Sequence, residues 1–358
     1  MFLTRKILTV TLAIVLAFSL FGCRNSGSAI DLTCFNTAVH IETHDKLISN
    51  DTKTLINDTL SCFEKEFSTN IESSLISRFN LAETGRSFTL TELQAQALKK
   101  SEEAFLFTDG MFNPAVYPLV KLWGFAPYSY TPNYTPPTDE QINLALSSCD
   151  FSKVQFDLEN KILIKTDAQV KLDLSGLVKG LCADTIAKIL KDAGHVLGYV
   201  NIGGSSLNLL KVNSLGIRHP EKAGESILSI NTEKYADLSV STSGDYERYY
   251  VDKDGIKYSH LINPFTGKTA NTGVRSATLL GVDGALGDAL TTALCLLEYS
   301  VAKMDNPLIS LVNKIILEYP NSIIFITYVK EQTKLILTNK TLGEDFTLND
   351  QSYSVVNI

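Results

Sequence analysis

KVQFDLENKILIK, residues 153–165, alternates apolar and polar side chains in two short runs, with Glu159 and Asn160 between them. A period of two marks a strand with one buried face, and a polar pair between two such runs reads as the turn of a strand pair. Downstream, a helix is predicted over Leu181 to Ala193. Its inner face is Ala183, Ile186, Ala187 and Leu190, and Gly194 is its stop. Strand-like runs follow at 197–202, 227–231, 277–282, 323–329 and 334–339, with helices near 288–299 and 307–315. Strands and helices interleave without regular alternation. That pattern predicts an α+β fold of mixed, largely antiparallel sheets with flanking helices rather than a doubly wound sheet.

Upstream, residues 32–125 read as mostly helical. Ile56, Leu60, Phe63 and Phe67 form one stripe, and Leu90, Leu93, Ala97, Leu98 and Phe105 a second, announced by Thr89 and Glu92 at capping-box spacing. APYSYTPNYTPPTDEQ, 126–141, holds four prolines and reads as a loop.

The first residues read differently. Arg5 and Lys6 precede an apolar run from Ile7 to Phe21 that ends in LFGC, 20–23, which resembles a bacterial lipobox. The expectation is a signal peptide over 1–22, acyl chains on Cys23, a polar tether over 23–31 and one domain over 32–358. Such a chain would be held on the extracytoplasmic side of a bacterial membrane. A net charge of −7 argues against nucleic acid as a partner. The five later cysteines, Cys34, Cys62, Cys149, Cys182 and Cys295, form no C-x-x-C pair, which argues against zinc and iron–sulfur centres. Cys62, Cys182 and Cys295 fall on apolar helical faces and read as buried thiols.

Chemistry concentrates in polar clusters between the elements. GDALTTALCLL, 287–297, has helical periodicity and places Asp288 and Thr292 one turn apart. Alone, Asp288 reads as an N-terminal cap. TDGMFNP (108–114), LDLSGLVKG (172–180), NIGGSS (201–206), STSGDYERY (241–249) and SHLINPFTG (259–267) are further clusters, and Lys179 at a helix start suits a phosphate. Neither common nucleotide-binding glycine motif is present.

The order and spacing of these clusters resemble the ApbE-type family of FAD:protein FMN transferases, from about Cys34 to Leu297. SRFN (77–80) and TDGMFNPAVYPLVKLWGF (108–125) are similar to the family's early elements, as are LDLSGLVKGLCAD (172–184), TSGDYER (242–248), SHLINPFTG and GDALTTAL to its later ones. Asn113, Asn263, Phe265 and Ser205 depart from the residues usual there. The resemblance implies a T-fold-related flavin transferase fold. It also implies an enzyme that uses Mg²⁺ to cleave FAD and attach FMN through a phosphoester to a threonine of an acceptor subunit of a membrane redox complex, releasing AMP. Carried over by position, metal ligands would be Asp288, Thr292 and the Gly176 carbonyl. Flavin and pyrophosphate contacts would fall at Cys34, Asn80, Met111, Phe112, Asn113, Asp173, Lys179, Ser243, Asp245, His260 and Ile262.

Elementary chemistry is consistent with that set. Mg²⁺ takes oxygen ligands and retains waters or phosphate oxygens, so few protein groups suffice. Lys179 and the ion would neutralise a diphosphate, and His260 is the favoured base for the threonine hydroxyl, with Asp288 as rival. His40, His44, His195 and His219 read as solvated. Phe112, Trp123, Tyr246 and Tyr249 suit either flavin stacking or the core. Two other functions use the same residues: FAD hydrolysis to FMN and AMP, and FAD binding without catalysis.

Overall fold

The computed structural model describes residues 27–300, 306–343 and 345–358. The leader expected over residues 1–22 and the acylation expected at Cys23 lie outside them. One nine-stranded sheet spans the described chain, in the order β1 (Ser28–Cys34), β2 (Thr37–Thr43), β6 (Gly198–Ile202), β7 (Ser206–Lys211), β10 (Leu238–Gly244), β13 (Val274–Leu280), β14 (Ile323–Lys330), β15 (Thr333–Thr338) and β17 (Ser354–Asn357). All neighbours are antiparallel except β15 and β17.

Three small sheets complete the strands. β3 (Ser87–Thr89), β5 (Ile162–Lys165) and β4 (Val154–Asp157) form one, β16 (Phe346–Leu348), β9 (Ser226–Asn231) and β8 (Ser214–Arg218) another, and β11 (Tyr249–Val251) with β12 (Lys257–Ser259) the third. The 153–165 hairpin therefore exists as read, antiparallel, but in a satellite sheet. The α+β architecture holds.

Helices α1 (Asn50–Phe67), α2 (Leu75–Leu81), α3 (Glu92–Phe107), α4 (Tyr117–Leu122), α5 (Asp139–Leu146), α6 (Ser175–Asp192), α7 (Gly284–Leu296) and α8 (Pro307–Glu318) supply the rest. One face of the main sheet packs Val39, Ile41, Val200, Ala277 and Ile324 against the helices; the other packs Tyr199, Leu209, Leu280 and Phe325 against β8, β9 and β16. With both faces covered, β14 is buried without alternation from Ile323 to Tyr328 and is apolar there except for Thr327.

Several boundaries differ from the sequence reading. Ser28–Asp31 already pair with β2, so the folded unit starts before residue 32. The box that starts α3 is Thr91 with Gln94, because Thr89 is committed to β3. α6 begins at Ser175, six residues early, which brings Gly176 and Lys179 into its opening turns. Cys62 is exposed, while Cys34, Cys149, Cys182 and Cys295 are buried, and all five are free. His195 and His219 are buried against Asp45 and Asp350 rather than solvated. Among the described residues no helix is long and apolar enough to cross a membrane.

Candidate functional site

The site is organised by the crossing of α6 and α7. A Cβ placed on Gly180 would lie 1.9 Å from the Gly284 carbonyl oxygen, and one on Gly284 would lie 2.5 Å from that of Gly180. Backbone therefore meets backbone, which only glycine permits. The half-buried Asp184 carboxylate locks the crossing. Its Oδ2 accepts from the Gly284 amide at 2.6 Å, and its Oδ1 accepts from Ser239 Oγ at 2.6 Å and Asn208 Nδ2 at 2.9 Å.

Asp283, not Asp288, caps α7, accepting from the Leu286 amide. Asp288 stands one turn further in, 5% exposed, where a cap has no use. Its carboxylate accepts from the Gly180 amide at 2.8 Å and from Ser206 Oγ, 2.9 and 2.7 Å from its two oxygens, with Lys179 Nζ 3.9 Å away. Burial pushes the carboxyl above its ordinary range, against the pull of Lys179, Ser206, Ser241 and the Gly180 amide. A carboxylate buried at this cost invites a cation.

Thr292 lies on the same helix, its hydroxyl 2.9 Å from the Asp288 carbonyl and 3.2 Å from Ser243 Oγ. Gly176 faces the ring of Phe112, which would stand 2.9 Å from a Cβ there. The Gly180 amide, which a regular helix directs wholly at the Gly176 carbonyl, is drawn to Asp288. Among the described residues no three of His, Cys, Asp and Glu converge. One carboxylate, a hydroxyl and a backbone carbonyl are hard oxygen donors that suit a divalent ion completed by water and phosphate, and do not suit a nitrogen–sulfur cage.

His260, on the segment after β12, lies close enough to Lys179 of α6 to feel its charge. Its amide and its Nδ1 both contact the Arg248 carbonyl, at 3.0 and 3.2 Å. A carbonyl only accepts, so Nδ1 carries the proton and Nε2 is left as an acceptor. Desolvation in its half-buried recess, with the charges of Arg248, Lys179 and Lys257, lowers the imidazole pKa to about 4. Phe125 meets the ring edge-on, backed by Tyr250, which stacks on Tyr134 at 4.3 Å between centroids. That stack, together with the Tyr134 hydroxyl on the Trp123 carbonyl, fixes the proline-rich loop, whose last residues enter α5. Trp123 is thus a core residue, its indole N–H on the Gly267 carbonyl.

The other expected residues divide. Asp173 Oδ1 accepts from the Ser175 amide at the start of α6, and Asn80 holds Leu172 through both its amide groups, so each fixes the approach to Gly176. Asn113 braces its own turn, accepting from the Ala115 amide and donating to the Cys149 carbonyl. Phe112 is buried, Met111 half-buried, and Ile262 is buried in the aromatic cluster of Trp123, Phe125 and Tyr250. Ser243 joins the Thr291 and Thr292 hydroxyls, and Asp245 is held by Arg275. The Cys34 thiol does not reach the cluster: it points into the core at the Leu60 carbonyl, and burial pushes it up to about 12. Gly180, Asp184, Ser206 and Arg248 went unremarked in the sequence although all four lie in the quoted clusters; their parts depend on which strands become neighbours.

Residues 35–305 match the ApbE family profile. The FAD:protein FMN transferase of Vibrio cholerae serotype O1 is 31% identical over 245 residues, covering 67% of this chain and 69% of its own. That of Haemophilus influenzae is 28% identical over 313 residues, covering 82% and 88%. Among solved structures, the flavin transferase ApbE from Vibrio cholerae superposes with a TM-score of 0.73 at 25% identity, covering 87% of this chain and 96% of that one.

Proposed function

The chain belongs to the ApbE family, and on that premise we propose that it is a Mg²⁺-dependent transferase that cleaves FAD and esterifies FMN to a threonine of an acceptor protein, releasing AMP. We further infer that Cys23 carries lipid and holds the enzyme on the extracytoplasmic side of a bacterial membrane, beside an acceptor belonging to a membrane redox complex. The observation that carries the enzymatic reading is Asp288. It is relieved of capping by Asp283, buried, and aimed at the opening turns of α6 beside Lys179.

Asp288, Thr292 and the Gly176 carbonyl would hold the ion. Bound there, a divalent ion supplies charge neutralisation at the diphosphate. Lys179 adds a fixed positive charge on the same side, lowering the repulsion an incoming oxygen meets. His260, neutral and with Nε2 unprotonated, takes the proton of the threonine hydroxyl as its oxygen attacks the phosphorus that bears the riboflavin half. The phosphoanhydride bond breaks as the phosphoester forms, and AMP leaves. The Arg248 carbonyl keeps the imidazole in the tautomer this step needs.

Incubating the full chain in detergent with FAD, Mg²⁺ and an acceptor domain bearing a target threonine tests the reading. Covalent FMN on the acceptor is the expected product; free FMN with AMP would make the protein a pyrophosphatase, and intact FAD a binding protein.

A further inference from the structure

Ser28, the first residue of β1, follows Cys23 by five residues, which span at most about 17 Å fully extended. Thr43 pairs with both Ser28 and Gly198, so the start of β1, the end of β2 and the start of β6 share one end of the sheet. Two loops leave the sheet there. Residues 44–49 are fastened to Ser28 by the Ile48 amide, which donates to Ser28 Oγ at 3.0 Å. Residues 193–197 are fastened to the first loop through Asp45, which accepts from the amides of Val196 and Leu197 and contacts His195 Nδ1, and through Lys46, which donates to the Ala193 carbonyl.

These well-tied loops present aliphatic tips to solvent: Leu47 is 66% exposed and Val196 65%. Lys46 beside them and Lys211, paired with Gly198 at the same end, have no carboxylate partner among the described residues. Single exposed aliphatics are ordinary on a protein surface. Two of them on loops that cannot stray from a short tether, with lysines that no carboxylate neutralises alongside, form the composition that seats on an anionic bilayer: apolar tips for the acyl boundary and cations for the headgroups.

We propose that this end of the sheet docks on the lipid bilayer, with Leu47 and Val196 entering the headgroup–acyl boundary. The inference rests on the lipid-anchor reading of Cys23 and adds an orientation to it. The full chain, expressed with its leader and reconstituted in phosphatidylethanolamine–phosphatidylglycerol vesicles, tests both. Leu47→Trp and Val196→Trp add a fluorophore to each loop, and Leu144→Trp, at an exposed site on α5 beside the aromatic cluster, is the control; the native Trp123 is buried. With brominated acyl chains in the vesicles, the added emission at 47 and 196 falls roughly twofold more than that at 144. Equal quenching at all three sites, with the protein floating with the vesicles and acylated at Cys23 by mass spectrometry, overturns the docking alone. A chain that carries no acyl group and does not float overturns the anchor, and the docking with it.

Discussion

At the crossing of α6 and α7 two backbones touch with no side chain between them, and Asp288 and Thr292 are pinned by an amide of α6 and hydroxyls of β7 and β10. His260, by contrast, rides on an irregular segment, held by one carbonyl and met edge-on by an aromatic ring. The first arrangement tolerates almost no displacement; the second tolerates repacking. The difference matches what the proposed reaction would ask of each side. Seating a cation against a diphosphate demands fixed charges, whereas a base needs only the right tautomer and access to a mobile hydroxyl.

The contrast can be broken most severely at Gly180. Gly180→Ala drives a methyl into the Gly284 carbonyl, so the helices must part, and a loss of about 3 kcal/mol in denaturant unfolding is expected together with loss of turnover. Next comes Asp288→Asn, which should cut FAD turnover by at least about 10²-fold. Its stability should move the other way. The folded-state carboxyl titrates above its ordinary range, so ionisation opposes folding as pH rises through that range, and removing the charge relieves it. In scanning calorimetry at neutral pH without divalent ion, the variant should melt at or above the parent temperature, and Mg²⁺ should raise the melting temperature of the parent alone.

On the other side, His260→Gln should lower kcat roughly 10²- to 10⁴-fold while FAD binding, followed by flavin fluorescence, is kept. The parent enzyme's acid limb should fall near pH 4 instead of near the usual histidine value. Folding disfavours the protonated ring, so stability attributable to His260 rises from about pH 4 to about pH 6.5, and His260→Gln should flatten that stretch of the stability profile. The smallest effect is expected at Asp184, which touches neither substrate nor ion. Asp184→Asn should raise the Mg²⁺ concentration for half-maximal stabilisation about tenfold, with metal-free FAD affinity unchanged. Equal losses in both would make it merely structural.

Much of this could be read in advance where the signal was local. The hairpin at 153–165, the stripe on α1 and the glycine stop at Gly194 depend on periodicity and backbone freedom within a few residues, and all are present. The helical spacing of Asp288 and Thr292 was legible for the same reason. What escaped needed tertiary partners. β10 and β7 hide in serine-rich runs whose polar groups are used inside the structure, Ser206 on Asp288 and Ser239 on Asp184. The true capping box of α3 lay two residues downstream because β5 claims Thr89. Cys34 sits at an expected flavin position, but residue type alone could not tell that its thiol would turn inward.

Strand register also works as a ruler. Ile202 lies four residues along β6 from Gly198 and is paired with Ser206, which holds Asp288. That is about 13 Å along the strands and, three strands over from β1, about 14 Å across. With the proposed lipid on Cys23, the short leash, the path along and across the strands and the reach through Ser206 would keep the carboxylate within roughly 41 Å of the anchor, however the domain tilts. An acceptor would then have to offer its threonine inside that radius, which favours juxtamembrane segments and leaves out those raised on tall extracellular stalks.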